Sequence, residues 1–533
     1  IPRPLNQFEM EPLLEDLSPR HGDKRVRRKM IVAYVAAWSR LQHEVPGHAI
    51  SEADRAFSHD LVEWLKLHEA ILIGEVIPQL YQYLRSNPAA PEREEFRHIL
   101  VDEYQDLNRA EQEVLAMLGE NSAICIIGDD DQSIYSFKHA HPAGVREWAR
   151  IHAAEDHEIA ECRRCPVTVV RIANSLISHN RDRIARVLQE RVGNGLGEVA
   201  IRQYRTSAEE ADAVAAKIVA LVTAGVPPGE IIVLAQRAVL GTPIFMRLKA
   251  ADVPVKSYYA ESELDTKAAQ ERFAIMKLLL DREDRVALRW LLGCEHPKWH
   301  SAPYARILEH IRATGDSPWN VLSGLQTGTL SIPHTAAIVG RFRDICAELA
   351  KLEAATDLDG FLNAWLPADV ETKMLADLVT RCKEECETVR ELFDRLYAAI
   401  SQPEVPMEVA EVRVMSLHKS KGLSSPYVFI VGCVEGLIPS QPEQGVPLAA
   451  ASAMLEEDRR LLYVGMTRVK ADVDNGRVGY LAITYAQTMP VADALGSQIT
   501  PVRQRHHIAY LQPSRFMGEF GPAAPRSRVD VPL

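Results

Sequence analysis

The stretch Phe96-Arg-His-Ile-Leu-Val-Asp-Glu-Tyr-Gln-Asp106, followed after a helix-like run by Ala123-Ile-Cys-Ile-Ile-Gly-Asp-Asp-Asp-Gln-Ser-Ile-Tyr-Ser-Phe-Lys-His-Ala140, decides the fold of this chain. In each quoted stretch a short apolar run stops abruptly at acidic residues. A buried parallel strand that stops in this way carries the acids at its carboxyl end, where α/β sheets bind ligands. Asp102 and Glu103 are therefore candidates for binding Mg²⁺ and for positioning a water molecule. A single pair of acids would fit a solvated turn equally well, but two such stretches, the second with Gln132, favour a site.

Composition places the chain among ordinary globular proteins. It has 533 residues, 47% of them hydrophobic and 25% charged, which predicts several domains. The eight cysteines are scattered without a disulfide-like framework, and no signal peptide or membrane-length apolar run occurs, so we expect a cytoplasmic protein without membrane contact. Because the first residue is Ile, we expect the chain to start inside a longer one.

The net charge limits the mode of nucleic-acid binding. The 61 basic and 73 acidic residues give a formal charge of −12, which argues against a protein that coats or wraps nucleic acid. A nucleic acid bound in a cleft with locally positive walls remains compatible with this balance, since the local field matters more than the total charge.

Alternating strand and helix patterns predict α/β domains with parallel sheets. Between them, residues 266–400 contain long amphipathic runs that predict an all-helical insertion, for example over 267–280, 336–352 and 372–400. Helical spacing also covers 61–84, and the tail from Gly521 is expected to be loose. The predicted strands are 197–204, 230–235, 255–258, 411–416, 427–432 and 480–485, with helices at 207–224 and 242–251.

The order of longer motifs resembles the UvrD/Rep/PcrA family of superfamily 1 DNA helicases. The resemblance covers most of the chain from about residue 72 onward, and the motifs occur in the family's order. They are Val101-Asp-Glu-Tyr-Gln-Asp106 (motif II), Gly128-Asp-Asp-Asp-Gln-Ser-Ile-Tyr135 (motif III), Val414-Met-Ser-Leu-His-Lys-Ser-Lys-Gly-Leu423 (motif V), Glu456-Glu-Asp-Arg-Arg-Leu-Leu-Tyr-Val-Gly-Met-Thr-Arg468 (motif VI) and Pro513-Ser-Arg-Phe516.

This resemblance implies two RecA-like parallel-sheet domains, the first one incomplete, with helical insertions. Residues 1–70 correspond to part of the helical 1B region and the return to domain 1A, and 71–165 correspond to domain 1A. Domain 2A corresponds to 166–265 and 406–533, and the 2B-like insertion to 266–405.

The resemblance also implies ATP and Mg²⁺ as cofactors. Asp102 matches the family's Mg²⁺ carboxylate, Glu103 its water-activating base and Gln132 the glutamine that senses the γ-phosphate. The chemistry agrees, because phosphoryl transfer needs a metal, an oriented water and cations on the γ-phosphate.

Arginines should supply those cations, since the guanidinium fork donates two parallel hydrogen bonds and stays charged. Arg468 matches the family's motif VI arginine finger, and Arg164 its motif IV arginine. Glu161-Cys-Arg-Arg-Cys-Pro166 replaces the usual motif IV sequence, which leaves Arg163 as an alternative to Arg164. Glu435 matches the family's glutamate near the nucleotide.

Single-stranded DNA and its junction with duplex DNA are the implied partners, and protein partners in repair are open. Aromatic faces stack on bases, and small-loop cations contact backbone phosphates. The candidate DNA-binding residues are Tyr135, Phe137, Lys138, His418, Lys419 and Lys421, with Phe137 favoured for stacking.

A glycine-rich phosphate loop of the form G-x-x-x-x-G-K-[ST] is absent from the 533 residues. Two hypotheses follow. The first is an ATP-dependent 3′-to-5′ DNA helicase or translocase for DNA repair or recombination, N-terminally truncated here and inactive by itself. The second is a catalytically inactive helicase remnant that binds DNA or protein. The lone Cys162-Arg-Arg-Cys165 motif lacks the four ligands of a zinc or iron–sulfur site, so a metal cluster is not expected.

Overall fold

The fold is α/β with parallel sheets and many helices, which confirms the predicted fold class. A computed structural model describes residues 2–17, 19–42, 51–259, 263–367, 369, 371–384, 386–401, 409–442 and 445–533. The chain divides into two compact units. The first comprises residues 1–97, 108–122 and 261–404, and the second comprises 98–107, 123–260 and 405–533. The division into four domains given above stays a prediction.

The strands of the described residues differ widely in length, from two residues to eleven. In chain order they are β1 (Arg3–Pro4), β2 (Ala70–Ile71), β3 (His98–Val101), β4 (Ala123–Ile126), β5 (Glu161–Cys162), β6 (Gln189–Glu190), β7 (Glu198–Thr206), β8 (Ile231–Ala235), β9 (Val255–Ser257), β10 (Val412–Met415), β11 (Tyr427–Val431), β12 (Tyr480–Pro490), β13 (Arg503–Arg505), β14 (Ile508–Tyr510) and β15 (Arg528–Val529).

The α-helices supply most of the first unit and flank the main sheet of the second. In chain order they are α1 (Met10–Asp16), α2 (Lys24–Ser39), α3 (Glu52–Leu67), α4 (Val76–Ser86), α5 (Arg109–Leu118), α6 (Ala143–His152), α7 (Val167–Ile177), α8 (Ser207–Thr223), α9 (Ala238–Ala250), α10 (Lys267–Leu280), α11 (Arg285–Gly293), α12 (Ser301–Thr314), α13 (Pro318–Thr327), α14 (Ala336–Glu353), α15 (Leu358–Trp365), α16 (Lys373–Lys383), α17 (Val389–Ser401), α18 (Leu448–Met466) and α19 (Val491–Gly496). Among the described residues, none of these helices has the length and apolar character needed to cross a membrane.

The second unit is built on a nine-stranded sheet. Seven strands run parallel in the order β15, β7, β12, β11, β8, β10 and β9, and the antiparallel hairpin β13–β14 extends the far end of β12. The central strand β8 is buried along its whole length, as its continuous apolar sequence predicts. Its side chains alternate between two cores, with Ile232 and Leu234 packed among residues of α7 and α18, and Ile231 and Val233 among residues of α8 and α9.

A separate pair of parallel strands carries the acidic stretch that opened the sequence. Strands β3 and β4 pair in register from His98 with Ala123 to Val101 with Ile126. Both strands end at the same edge, so the residues that follow them lie side by side. The amide of Tyr104 donates to the carbonyl of Ile127 at 3.0 Å, and this bond joins the two strand ends.

Three local predictions differ from the structure. The run 372–400 forms two helices, α16 and α17, because Thr388 and Glu391 cap a new helix. The Thr388 hydroxyl accepts from the amide of Glu391 at 3.2 Å, and the Glu391 carboxylate accepts from the amide of Thr388 at 3.1 Å. The helical region 61–84 is interrupted by β2, which pairs with β1. The tail contains β15, which pairs with β7.

The first unit contains a buried network of charged side chains. The carboxylate of Glu9 is 2.7 Å from a guanidinium nitrogen of Arg3 and 2.9 Å from Nζ of Lys277. Arg3 also pairs with Asp284 at 2.7 Å. Burial opposes ionisation of Glu9, but the charges of Lys277 and Arg3 outweigh it and lower the pKa of this carboxyl. Glu9 therefore supplies the counter-charge of the buried Lys277 ammonium and shares Arg3 with Asp284.

We expect Glu9→Gln to destabilise the first unit by about 3–5 kcal/mol, since it leaves the buried ammonium of Lys277 without its carboxylate partner. Urea unfolding followed by circular dichroism measures the effect. The matched control is Glu11→Gln, because Glu11 pairs with Arg28 at a more exposed position, with 32% of its side chain accessible. The control should cost about 1 kcal/mol or less. Equal losses in the two variants would contradict a structural role for the buried network.

Candidate functional site

The site is centred on the turn that follows β3. Asp102 is exposed there, and its Oδ1 accepts from the amide of Glu103 at 2.9 Å. Glu103 adopts left-handed backbone angles, φ 53° and ψ 38°. This conformation costs a non-glycine residue about 1–2 kcal/mol, and such strain concentrates at functional sites. The turn therefore holds two adjacent carboxylates in a constrained arrangement at the strand end.

Gln105 connects this turn to the end of β4. It is fully buried, and its Nε2 donates to Oε2 of Glu103 at 2.5 Å. Its Oε1 accepts from the amide of Asp129 at 3.0 Å. One side chain thus orients the Glu103 carboxylate and holds the loop of the second acidic stretch. Sequence reasoning missed this role, although a glutamine between two carboxylates in Asp-Glu-Tyr-Gln-Asp is the available signal.

Lys421 lies at the centre of the charged groups. Its side chain is 6% exposed, and its Nζ is 2.6 Å from Oδ2 of Asp106 and 3.3 Å from Oε2 of Glu103. The same ammonium donates to the backbone carbonyl of Gln132 at 2.8 Å and lies 5.3 Å from the centre of the Tyr135 ring. The sequence assigned Lys421 to DNA phosphates, and that role stays a prediction. In the structure this cation binds protein carboxylates.

Asp106 has an uncommon environment for a carboxylate. Burial raises its pKa, and the nearby Lys421 ammonium opposes the rise. Its Oδ1 is buried and has no hydrogen-bond partner among the described residues, although Oδ2 accepts from Lys421. Asp106 therefore places an acceptor oxygen beside the charged cluster.

Gln132 and Arg468 are in contact. Nη2 of Arg468 donates to Oε1 of Gln132 at 3.4 Å, and Nε2 of Gln132 donates to Oδ2 of Asp129 at 2.9 Å. Arg468 is 2% exposed, and the carbonyls of Val464 and Leu423 accept from its guanidinium at 2.8 and 3.2 Å. Burial, together with the charge of a neighbouring arginine, lowers the pKa of Arg468 to about 10. This guanidinium remains charged at neutral pH.

That neighbouring arginine is Arg164. It is exposed, its charge acts on Arg468, and its carbonyl accepts from the amide of Ala471 at 2.8 Å. Arg163, the alternative left open by the sequence, lies 3.9 Å from the Glu161 carboxylate. The structure therefore brings Arg164 close to the other candidate arginine and associates Arg163 with an acid on β5.

Glu435 makes different contacts. Its carboxylate accepts from Nη2 of Arg515 at 2.7 Å and from the backbone amide of Arg515 at 2.6 Å. Its own amide donates to the carbonyl of Gln512 at 2.9 Å. The structure thus joins Glu435 to the Pro513–Phe516 segment, and its predicted nucleotide contact stays a prediction.

Three of the candidate DNA-binding residues form an aromatic group. Phe137 is 61% exposed, and its ring lies 5.7 Å from that of Tyr135 and 5.8 Å from that of His418, edge-on in both cases. The Tyr135 hydroxyl donates to the His418 carbonyl at 3.3 Å. Burial and then the charge of Arg237 lower the pKa of His418, which keeps its imidazole neutral at pH 7. Phe137 therefore presents an exposed ring that packs edge-on against Tyr135 and His418.

The two remaining candidate lysines flank this group. Nζ of Lys138 lies 4.9 Å from the centre of the Tyr135 ring, and the side chain is exposed. Nζ of Lys419 donates to the carbonyl of Tyr258 at 2.6 Å. The loop that carries Phe137 is further held by Glu457, whose carboxylate accepts from the amide of Ser136 at 2.9 Å. Glu457 was not identified from the sequence.

The carboxylates of Asp102 and Asp106 could supply some of the oxygen ligands of a Mg²⁺ ion. Mg²⁺ is typically held by one or two protein carboxylates, with the remaining positions filled by water and phosphate oxygens. Asp102 is an exposed carboxylate, and Asp106 has an unpartnered oxygen. Within the described ranges, no three His, Cys, Asp or Glu side chains group into a complete metal site. Asp102 thus fits a metal shared with a phosphate ligand.

Two protein-family models match separate parts of the chain. The UvrD/REP helicase N-terminal domain matches residues 33–150, and the UvrD-like helicase C-terminal domain matches residues 372–473. These two segments of the chain are therefore similar to the N-terminal and C-terminal domains of UvrD/Rep helicases. The first match to this family contains Asp102, Glu103 and Gln132, and the second contains Lys421 and Arg468.

The sequences of individual UvrD/Rep helicases align with most of this chain. DNA helicase II of Haemophilus influenzae is 25% identical over 493 residues, which cover 86% of this chain and 64% of the relative. DNA helicase II of Escherichia coli is 27% identical over 496 residues, or 87% of this chain and 63% of the relative. The ATP-dependent DNA helicase Rep of Escherichia coli is 23% identical over 492 residues, or 85% and 72%. The chain thus spans just under two thirds of the length of these helicase II relatives.

We expect Lys421→Met to destabilise the protein by about 3 kcal/mol at neutral pH, because it leaves Glu103 and Asp106 close together without a cation. Loss of the ammonium also raises the pKa of Asp106 further above its unfolded value. A carboxyl shifted in this direction favours the folded state at low pH, and that contribution is lost as the pH rises through the folded-state pKa. The destabilisation should therefore be smaller at about pH 5 than at about pH 8.

Urea unfolding at both pH values measures this difference. Lys419→Met is the matched control, because Lys419 is exposed and its Nζ donates to the backbone carbonyl of Tyr258. It should change stability by less than about 1 kcal/mol. A loss in Lys421→Met that does not vary with pH would contradict the electrostatic explanation.

Proposed function

We propose that the second unit carries the phosphoryl-transfer site of an ATP-dependent DNA helicase or translocase. The observation that carries the proposal is one continuous set of contacts. Arg468 binds the Gln132 side chain at 3.4 Å, the Gln132 carbonyl binds Lys421 at 2.8 Å, and Lys421 lies 3.3 Å from Glu103. The candidate base Glu103, the candidate γ-phosphate sensor Gln132 and the candidate cation Arg468 thus belong to one set of connected side chains. The names of the relatives, DNA helicase II and ATP-dependent DNA helicase Rep, support ATP and DNA as ligands.

Hydrolysis requires a carboxylate to accept the proton of the attacking water and cations to stabilise charge on the transferred phosphoryl group. Glu103 takes the role of base, with its carboxylate oriented by Gln105. Arg468 and Arg164 supply the cations. Asp102 would hold Mg²⁺, which when bound neutralises charge on phosphate oxygens.

DNA binding is assigned to the aromatic group. An exposed aromatic ring stacks on any base, which suits a protein that binds single strands without reading sequence. Phe137 offers such a ring, and Lys138 beside it suits a backbone phosphate. Gln132 lies only five residues before Phe137, so a change of hydrogen bonding at the nucleotide reaches the DNA contact through a short segment. Repair or recombination is the proposed setting.

The sequence also favours a second candidate function. No phosphate-binding loop occurs among the 533 residues, and the family's chemistry depends on one. A non-catalytic module that binds DNA or protein would keep the aromatic group without hydrolysing ATP. For this chain alone we propose little or no ATPase activity.

Phe137→Ala should weaken binding of single-stranded DNA by about 1–3 kcal/mol, roughly 5- to 150-fold, through loss of one stacked base. Fluorescence anisotropy of a labelled oligothymidine, at two salt concentrations, measures the affinity. Phe96→Ala removes another exposed phenyl ring, 45% accessible, outside the aromatic group and is the matched control. Equal effects of the two changes would rule out Phe137 as the stacking residue.

A phosphate-release assay with single-stranded DNA separates the two candidate functions. For the 533-residue chain we expect turnover near background. In a form supplied with a phosphate-binding loop, Glu103→Gln should lower turnover by about 100- to 10,000-fold, because the water loses its base, while DNA affinity is retained. Glu147→Gln, at an exposed position on α6, should leave both unchanged. Undiminished hydrolysis in Glu103→Gln would refute the assignment of the base.

A further inference from the structure

Two cysteines flank the arginine pair in the loop between β5 and α7. Cys162 ends β5, and Cys165 lies two residues before the first residue of α7. Cys162 is partly accessible, and Cys165 is 1% exposed. The amide of Cys165 donates to Sγ of Cys162 at 3.4 Å, so the loop turns back and brings the two residues together. An accessible thiol thus lies next to a buried one.

The loop is held in this conformation from outside. The side-chain amide of Asn194 donates to the carbonyl of Cys165 at 3.0 Å and to that of Cys162 at 3.4 Å. Sγ of Cys165 donates to the carbonyl of Thr467 at 3.5 Å, directly before Arg468 in the chain. Both cysteines are therefore positioned by neighbours, and the buried thiol contacts the backbone next to the buried arginine.

The electrostatic environment shifts the pKa values of the two thiols in opposite directions. The adjacent Cys165 thiol, together with the Cys165 amide and the charge of Arg164, lowers the pKa of Cys162 to about 6. Hydrogen bonding to Cys162 and burial raise the pKa of Cys165. Among the described residues, Tyr463 also interacts electrostatically with Cys162. Glu190, the register partner of Cys162 in the sheet, is bound by Arg171. Cys162 is thus the thiolate of the pair at neutral pH.

We propose that Cys162 and Cys165 form a peroxide-sensitive redox pair, in which accessible Cys162 is oxidised first and buried Cys165 then closes an intramolecular disulfide. A redox-sensing cysteine is accessible, largely ionised and next to a resolving thiol, and this loop provides all three features. Two sulfurs alone do not make a zinc or iron–sulfur site, which needs four ligands.

The reaction balances with hydrogen peroxide as the oxidant. The Cys162 thiolate attacks one peroxide oxygen, the S–O bond forms, the O–O bond breaks, and the departing hydroxide is protonated to water. Cys165 sulfur then attacks Cys162 sulfur, and the S–O bond of the sulfenic acid breaks. The second hydroxide leaves with the Cys165 proton as water. Two thiols lose two electrons, and a dithiol reductant reverses the change.

Disulfide closure has a direct structural consequence. It removes the hydrogen bond that the Cys165 thiol donates to the Thr467 carbonyl. It also closes a small covalent ring that contains Arg163 and Arg164. The oxidation state of the pair therefore acts on the backbone of Arg164 and on the residue before Arg468. The chemistry itself is independent of ATP hydrolysis, so failure of the proposed function would leave this inference standing.

Stoichiometric peroxide followed by peptide mass spectrometry tests the proposal on the full chain. We expect loss of about 2 Da from the peptide that contains both cysteines, reversed by dithiothreitol. In Cys165→Ala the oxidised Cys162 should persist as a sulfenic acid that dimedone traps. Cys162→Ser should remove both products, whereas Cys125→Ser, at an exposed cysteine on β4, should retain the disulfide.

Iodoacetamide kinetics provide a second measurement that does not depend on the Cys165 variant folding. The alkylation rate of Cys162 in the unaltered chain should rise through about pH 6 and level off near pH 7, whereas an ordinary thiol with a pKa of about 8.5 continues to rise. At pH 7 the gain in rate is modest, because nucleophilicity falls as the pKa falls. Disulfides only between other cysteines, or a Cys162 profile that still rises above pH 8, would overturn the proposal.

Discussion

The ammonium of Lys421 is the group on which the arrangement of the site depends. Glu103 and Asp106 would repel each other if no cation lay between them, and the environment of Asp106 already disfavours its charge. Lys421 also binds the carbonyl of Gln132, so one cation fixes the turn after β3 and the loop after β4 relative to the loop after β10. Its position over the Tyr135 ring adds a cation–π contact in the same place. Removal of this group would loosen three loops together.

The position of the aromatic group (Tyr135, Phe137 and His418) depends on the contacts of Lys421. Lys421 binds the carbonyl of Gln132, and Tyr135, three residues later, donates to the carbonyl of His418, three residues before Lys421. The two loops are therefore joined twice over a short distance. Phe137 follows this doubly held segment by two residues. In the proposed function, this local connection would couple nucleotide binding to DNA binding.

The sequence predicted the elements that depend on local pattern. The buried strand β8 has a continuous apolar run, and α10 begins and ends where its amphipathic spacing does. Strands β1 and β15 have two residues each, and only a distant partner makes them strands. The break between α16 and α17 depends on one capping pair, which the apolar periodicity hides. At the site, residue types and motif order identified the side chains but not their contacts, since Lys421 and Asp106 are 315 residues apart.

Arg468 illustrates how burial and function are reconciled. A pKa of about 10 leaves roughly one guanidinium in a thousand neutral at pH 7, so the charge is retained despite the cost of burial. Two carbonyls hold the guanidinium in place, whereas its bond to the neutral oxygen of Gln132 is long at 3.4 Å. The bond from Arg468 to Gln132 joins a charged donor to a neutral acceptor. A phosphate oxygen would instead offer a charged acceptor, and bonds in which both partners are ionised are shorter and stronger. In the proposed helicase function, exchange of Gln132 for a phosphate oxygen at Arg468 would therefore connect nucleotide binding to the loop that carries Phe137.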